Sequence, residues 1–216
     1  YPRDIGGGAK VIHEYANYFV SRGVDVVIYY QYSLEIALKN WTLPKGIKNI
    51  IEKYRIEQVP FNWFKLDKRV KKIAIKEINN ESIRSGDWVI ATTCFTAEPV
   101  CNLEETKGKK AYLIQDFENW GVTDEFVYNT YKLGLKNIVV SNWLKRLVAK
   151  YDGNKSVVIS NGINQSIFNV RNDDTERIKH SIVFQYRTEG YKGGEYYPQV
   201  VKLLKERFPD LTVNII

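Results

Sequence analysis

Two cations in a glycine-containing loop carry the clearest chemistry in this sequence. Residues 183–194, VFQYRTEGYKGG, follow Ile182 as a short apolar strand that runs into Arg187 and Lys192. Gly193 and Gly194 then lead into an amphipathic helix. The first N–H groups of a helix have no partner of their own and carry partial positive charge, so this arrangement can hold phosphate. Arg187 can grip phosphate oxygens with its planar fork, while Lys192 acts as a point charge. The plain alternative is a pair of solvated loop cations, and local chemistry alone leaves both readings open.

Other residues are candidates by type and place. Gly6, Gly7 and Gly8 stand before a helical stretch, where absent Cβ atoms let backbone approach a ligand closely. A simple tight turn is the competing reading. Asp116 follows the apolar strand 110–114, and ligand crevices of α/β sheets form at such carboxyl ends. Glu118 and Trp120 are its neighbours, and both Trp120 and Trp143 are expected to pack, with stacking on a sugar as the alternative for Trp120. His13 reads as helix surface or core edge and His180 as part of a polar linker, and neither has a metal-ligand partner at the needed spacing. Cys94 and Cys101, seven apart, match no metal or redox motif and are expected to be reduced cytoplasmic thiols. No metal is therefore expected.

These residues need elements to position them. Val11, Tyr15, Tyr18 and Phe19 recur at helical spacing until Gly23, and 24–32 (VDVVIYYQY) is the nearly continuous apolar run of a strand buried on both faces. Further on, 55–59 predicts a short strand and 65–80 a helix, basic outside, with Val70, Ile73, Ala74 and Ile78 inward. Strands are expected at 87–91, 110–114, 136–140 and 156–159. Helices are expected at 96–103, from Thr123 to Leu133, and from an Asn142 cap to Tyr151. Strands alternating with helices of about ten residues imply βαβ units and a parallel sheet. Polar residues 165–180 then interrupt the pattern, which restarts as strand 182–186, helix 194–208 and strand 212–216. The expected organisation is a Rossmann-like domain over 1–163, a hinge over 164–180 and the start of a second such domain over 181–216. The first strand is expected before Tyr1, and the remainder of the second domain after Ile216.

Composition narrows the classes. With 44% hydrophobic residues among 216 a real core can form, and no apolar run of about 18 residues reaches across a bilayer. No secretory signal is expected either. A net charge of +7 favours an anionic partner: phosphates, an acidic membrane surface or nucleic acid. The basic residues are not interleaved with aromatics in a nucleic-acid motif, so nucleic acid is not expected. A dinucleotide-dependent oxidoreductase lacks support as well. Gly6 and Gly8 are followed by Val11 instead of a third glycine, and the second strand ends Tyr29-Tyr30-Gln31-Tyr32 without the acid that holds a ribose.

Four segments, in order, resemble the GT-B nucleotide-sugar glycosyltransferases, in particular family GT4. Gly6-Gly7-Gly8 opens a helix that ends in Ser21-Arg22-Gly23-Val24-Asp25-Val26. Residues 157–168, VVISNGINQSIF, are similar to the family's hinge, with Ser160 where proline is usual. Arg187 and Lys192-Gly193 are similar to its donor-diphosphate site. YLIQDFENWG with TYKLGLKNIVVSNWL is similar to a subgroup that builds rhamnose-rich and other cell-surface polysaccharides, with Gln115 before Asp116 where many members have histidine. Each segment is weak alone.

The resemblance implies a hexosyltransferase of cell-envelope polysaccharide biosynthesis. It would move sugar from a nucleotide-diphosphate donor to a glycan or lipid-linked acceptor, with retention and without metal or other cofactor. It implies that Gly7, Gly8, Arg187, Lys192 and Gly193 bind the donor diphosphate, and that Arg187 and Lys192 neutralise it as the sugar bond breaks. Asp116 would orient or deprotonate the acceptor hydroxyl, with Glu118 and Trp120 on the same acceptor side. The family's late pair of glutamates would lie beyond Ile216. Cytoplasmic placement is expected, with peripheral contact at the inner face of an anionic membrane through the basic segment 65–80. The alternative is a non-catalytic sugar- or nucleotide-binding module on the same scaffold.

Overall fold

The computed structural model describes residues 6–32, 44–170, 178–186 and 193–216. They form two compact units, Tyr1–Gly162 and Ile163–Ile216, each α/β with parallel strands.

In the first unit, helix α1 (Gly7–Ser21) leads to strand β1 (Val27–Gln31), helix α2 (Lys45–Gln58) and strand β2 (Lys71–Ile75). Then follow β3 (Trp88–Ala91), α3 (Cys94–Cys101), a 3-10 turn (Glu105–Lys107), β4 (Lys109–Ile114), α4 (Asp124–Tyr131), β5 (Lys136–Val139), α5 (Asn142–Asp152) and β6 (Val157–Val158). β1 and β2 pair in parallel, and β3, β4, β5 and β6 form a four-stranded parallel sheet in that order. The register sets Ala91 beside Tyr112, Ile114 beside Val139 and Val139 beside Val158. These residues share one face, because strand side chains alternate. That face is the main core, closed by Ala97 and Val100 of α3, Val127 and Tyr131 of α4, and Leu144 and Val148 of α5. α1 packs elsewhere, with Ala16 and Val20 against Val70, Ile28 and Leu66. The 76–87 connection is tied back to β1, since the Arg84 guanidinium meets the Asp25 carboxylate at 2.7 Å and the Arg84 backbone N–H donates to Tyr29 Oη at 3.0 Å.

In the second unit, β7 (Ser181–Phe184) pairs in parallel with β8 (Thr212–Ile215) across the helix α6 (Tyr197–Arg207). Phe184 stacks on Tyr197 with ring centroids 4.6 Å apart, and the Tyr197 hydroxyl donates to Gln185 O. The helix opens with a 3-10 turn, Gly194–Tyr196.

Several expectations need correction. The stretch 55–59 is the end of α2, not a strand. The apolar residues of RIEQV, Ile56 and Val59, are three apart, and over the whole helix Glu52 and Ile56, four apart, turn inward together. The basic helix expected over 65–80 does not exist: β2 runs through its middle, flanked by loop and turn. Its apolar positions suit a helix by count, but pairing with β1 over five residues fixes the strand, a tertiary override of a local pattern. Ser141, not Asn142, caps α5, its Oγ accepting from the Leu144 N–H at 3.2 Å. α3 begins at Cys94, two residues before the expected start.

Candidate functional site

The sheet's carboxyl edge carries the candidate residues of the first unit. α1 starts at Gly6, an extended residue with no side-chain cap, and has no acidic residue in its first turn. Gly7 and Gly8 are exposed. A Cβ on Gly8 would come within 3.4 Å of Gln115 Nε2, the residue next after β4, and that amide points at Gly8 O at 3.4 Å. A separation of 107 residues in sequence is thus closed, and the glycine end of α1 stands beside the loop that carries Asp116.

The helices that follow β3, β4 and β5 start differently. In α4 the Phe126 N–H donates to Thr123 Oγ1 at 3.2 Å, and in α5 Ser141 does the same service. In α3 the Thr92 and Thr93 N–H groups both donate to Thr96 Oγ1, and the Cys94 N–H donates to Glu118 Oε2 at 2.5 Å. Their opening turns are served by side chains, whereas that of α1 is bare glycine.

The loop after β4 splits its two carboxylates. Asp116 is exposed, with Oδ1 accepting the Phe117 N–H at 2.8 Å. Glu118 is only 4% exposed and is turned inward beneath α3. Its Oε2 also lies 3.4 Å from the Tyr112 hydroxyl, and its carbonyl accepts from Cys94 Sγ at 3.6 Å. Burial pushes the Glu118 carboxyl up from the ordinary range, and the Asp116 charge adds to this. The Cys94 N–H and thiol and the Tyr112 hydroxyl pull the other way. The Cys94 thiol is raised to about 11, first by burial and then by Glu118, so it stays protonated and unreactive. Trp120 and Trp143, both expected to pack, are instead each 52% exposed, Trp120 on this same loop.

His13 is fully inside, not at the helix surface. Its Nε2 is 2.8 Å from Tyr30 Oη, and its ring stacks on Phe61 at 4.7 Å with Phe64 at 5.2 Å and Trp63 at 5.5 Å. Nδ1 is buried with no hydrogen-bond partner, as is Trp63 Nε1. Burial, then the Lys72 charge, lowers the imidazole to about 4. Lys72 Nζ lies 4.9 Å from the Phe61 centroid and donates to Val59 O. His13 is therefore a neutral pin that holds α1 to β1 and to the 61–64 aromatics, with its glycine start lying about one and a half turns away.

Arg187 and Lys192 lie outside the described residues. Gly193 is described, with φ of 71°, the left-handed backbone that glycine tolerates best, at the start of the turn before α6. His180 Nδ1 is 2.8 Å from Asp210 Oδ1, a pair within the second unit. Among the described residues, no three of His, Cys, Asp and Glu are placed to hold a metal ion.

Gly8 and the loop that carries Asp116 meet through Gln115, a contact between distant parts of the sequence. No local signal in the sequence gives that link. Glu118, expected beside Asp116 on the acceptor side, instead caps α3, and its polar neighbours Gln115, Asp116 and Asn119 give no sequence sign of its burial. No protein-family model, no curated protein and no solved structure matches the chain.

Proposed function

We propose that the chain belongs to a GT-B glycosyltransferase that moves a sugar from a nucleotide-diphosphate donor to a glycan or lipid-linked acceptor of the cell envelope. One observation carries the reading furthest: a bare glycine helix start stands beside Gln115 and an exposed Asp116 at the carboxyl edge of a parallel sheet. The four ordered sequence segments support it from a separate direction. The parallel α/β architecture of both units is compatible with it.

Each residue then has a role. Gly7 and Gly8 let the α1 backbone N–H groups meet anionic oxygens of the donor. In the second unit Arg187, Lys192 and Gly193 take diphosphate oxygens and offset the charge that grows as the sugar–phosphate bond breaks, which is the largest single contribution in chemistry of this kind. Asp116 orients the acceptor hydroxyl and takes its proton, and Trp120 stacks on a sugar face. Glu118 does not touch substrate; it holds the loop. The reading requires no metal and places the work in the cytoplasm.

The test is release of nucleoside diphosphate from UDP-, dTDP- and GDP-sugars by the full chain in the presence of envelope glycan acceptors. Turnover with one donor class is expected, and Asp116→Asn should lower kcat by roughly a hundredfold while the donor still binds. Nucleotide binding without turnover on any donor would favour the non-catalytic module.

A further inference from the structure

Three buried oxygens at the amino end of the four-stranded sheet have no hydrogen-bond partner in the chain: Asn137 Oδ1, Asp152 Oδ1 and Ser156 Oγ. They belong to one place. Ile138 pairs with Val157 and Val139 with Val158, so one residue earlier on the same strands Asn137 and Ser156 stand side by side. Strand side chains alternate, and both therefore face the helix-covered side that Val139 and Val158 line. Asp152 is the last residue of α5, and its Oδ2 lies 3.4 Å from Asn137 Nδ2. Gly153 and Asn154 then take φ of 67° and 62°, a tight left-handed turn that returns the chain to Ser156. Asn137 and Ser156 are each 3% exposed, a depth at which native proteins nearly always supply a polar atom with a partner.

The orientation of Asn137 is fixed. Its Nδ2 donates to Tyr131 O at 3.1 Å, and a carbonyl only accepts, so Oδ1 is left as an acceptor facing elsewhere. Asp152 Oδ1 is a second acceptor and belongs to a charged group. Tyr131 ends α4 and Asp152 ends α5, and helix C-termini carry partial negative charge. The last turn of α4 has no basic residue. Lys132, just past it, is turned to Asn129 Oδ1 at 2.9 Å and to the Tyr151 ring. Among the described residues no lysine, arginine or histidine pairs with Asp152. Negative potential is collected here, and no basic side chain answers it.

We propose that Asn137, Asp152 and Ser156 bind a monovalent alkali cation, sodium or potassium, which ties the end of α5 to β5 and β6. Oxygen ligands suit a hard cation. One carboxylate with two neutral oxygens matches a single positive charge, whereas calcium takes roughly six to eight oxygens with carboxylates prominent among them. A water molecule can donate to both acceptors, but it leaves the Asp152 charge and the two helix ends unanswered. Asp152 is half-buried, which gives an ion and its remaining waters a way in. The three residues lie at the opposite end of the strands from Gly8 and Asp116. The ion is therefore structural, and its binding is independent of the sugar-transfer reading.

The experiment is thermal unfolding of the full chain in sodium, potassium and choline chlorides at one ionic strength. In at least one alkali salt, at roughly ten times the ion's dissociation constant, the first unit should unfold about 3 °C higher than in choline chloride. Asp152→Asn keeps the shape and an acceptor for water but loses the charge, and it should abolish that gain. Ser156→Ala removes one ligand and should shrink it. Asp87→Asn, at an exposed carboxylate away from the three oxygens, should leave it unchanged. Unchanged circular dichroism confirms that each variant folds. Rubidium, which replaces either ion and scatters anomalously, should give a peak among the three oxygens in a crystal, a readout that needs no variant. Equal unfolding temperatures in the three salts would make a buried water the occupant and overturn the proposal. A gain that Asp152→Asn retains, or no rubidium peak, overturns it as well. So does stabilisation by calcium chloride alone at the same ionic strength, because a divalent ion would then be the occupant.

Discussion

At the scale of single residues, the buried imidazole of His13 makes the sharpest statement. The folded protein takes up its proton only near pH 4, whereas an ordinary histidine does so near 6.5. Stability attached to this group is therefore present at neutral pH, declines as pH falls through 6.5, and is gone below about 4. The loss amounts to about 3 kcal/mol. Glu52 and Glu118 shift upward from burial, so they oppose this by favouring the folded state as they protonate. The comparison that isolates His13 is with His13→Gln. Urea unfolding should find the wild type more stable than the variant near neutral pH, with the gap closed near pH 4. A gap that stays constant with pH would mean the ring is not held neutral. Position alone left surface and core edge both open. One histidine on a helix reads as surface or core edge, and the partners that bury it fully come from β1 and the 61–64 aromatics, far away in sequence.

At the scale of elements, the loop after β4 is held by α3 through one side chain. Glu118 accepts the first N–H of α3 from below while Asp116 remains outside. Glu118→Ala removes that acceptor and leaves a hole, which should cost about 1–3 kcal/mol and free the loop. Glu118→Gln keeps an acceptor oxygen and should recover most of the loss. The Cys94 thiol reports directly: it is fully buried in the wild type, and a disulfide reagent should modify it faster in the alanine variant than in the glutamine one. Equal modification in all three proteins would show that Glu118 does not anchor the loop. How much of this was legible followed from range. Regular strand–helix alternation from 87 onward could be read because each element carries its own apolar run and its own punctuation, such as Thr123 and Gly153. The segment 44–80 could not, because β2 is a strand by virtue of pairing with β1. The glycine start of α1 was readable as a place for a ligand, but its proximity to Gln115 is a property of the folded unit.

At the scale of the whole molecule, two parallel α/β units and a net charge of +7 are compatible with the proposed nucleotide-diphosphate donor. The most direct measurement is calorimetric titration of the full chain with UDP, dTDP, GDP and NAD, repeated with Arg187→Ala and Lys192→Ala. One of the three nucleoside diphosphates is expected to bind and NAD is not, and each substitution should weaken binding by about tenfold or more, as loss of a charge-assisted contact does. Absence of nucleotide binding, preference for NAD, or affinity indifferent to both substitutions would contradict it.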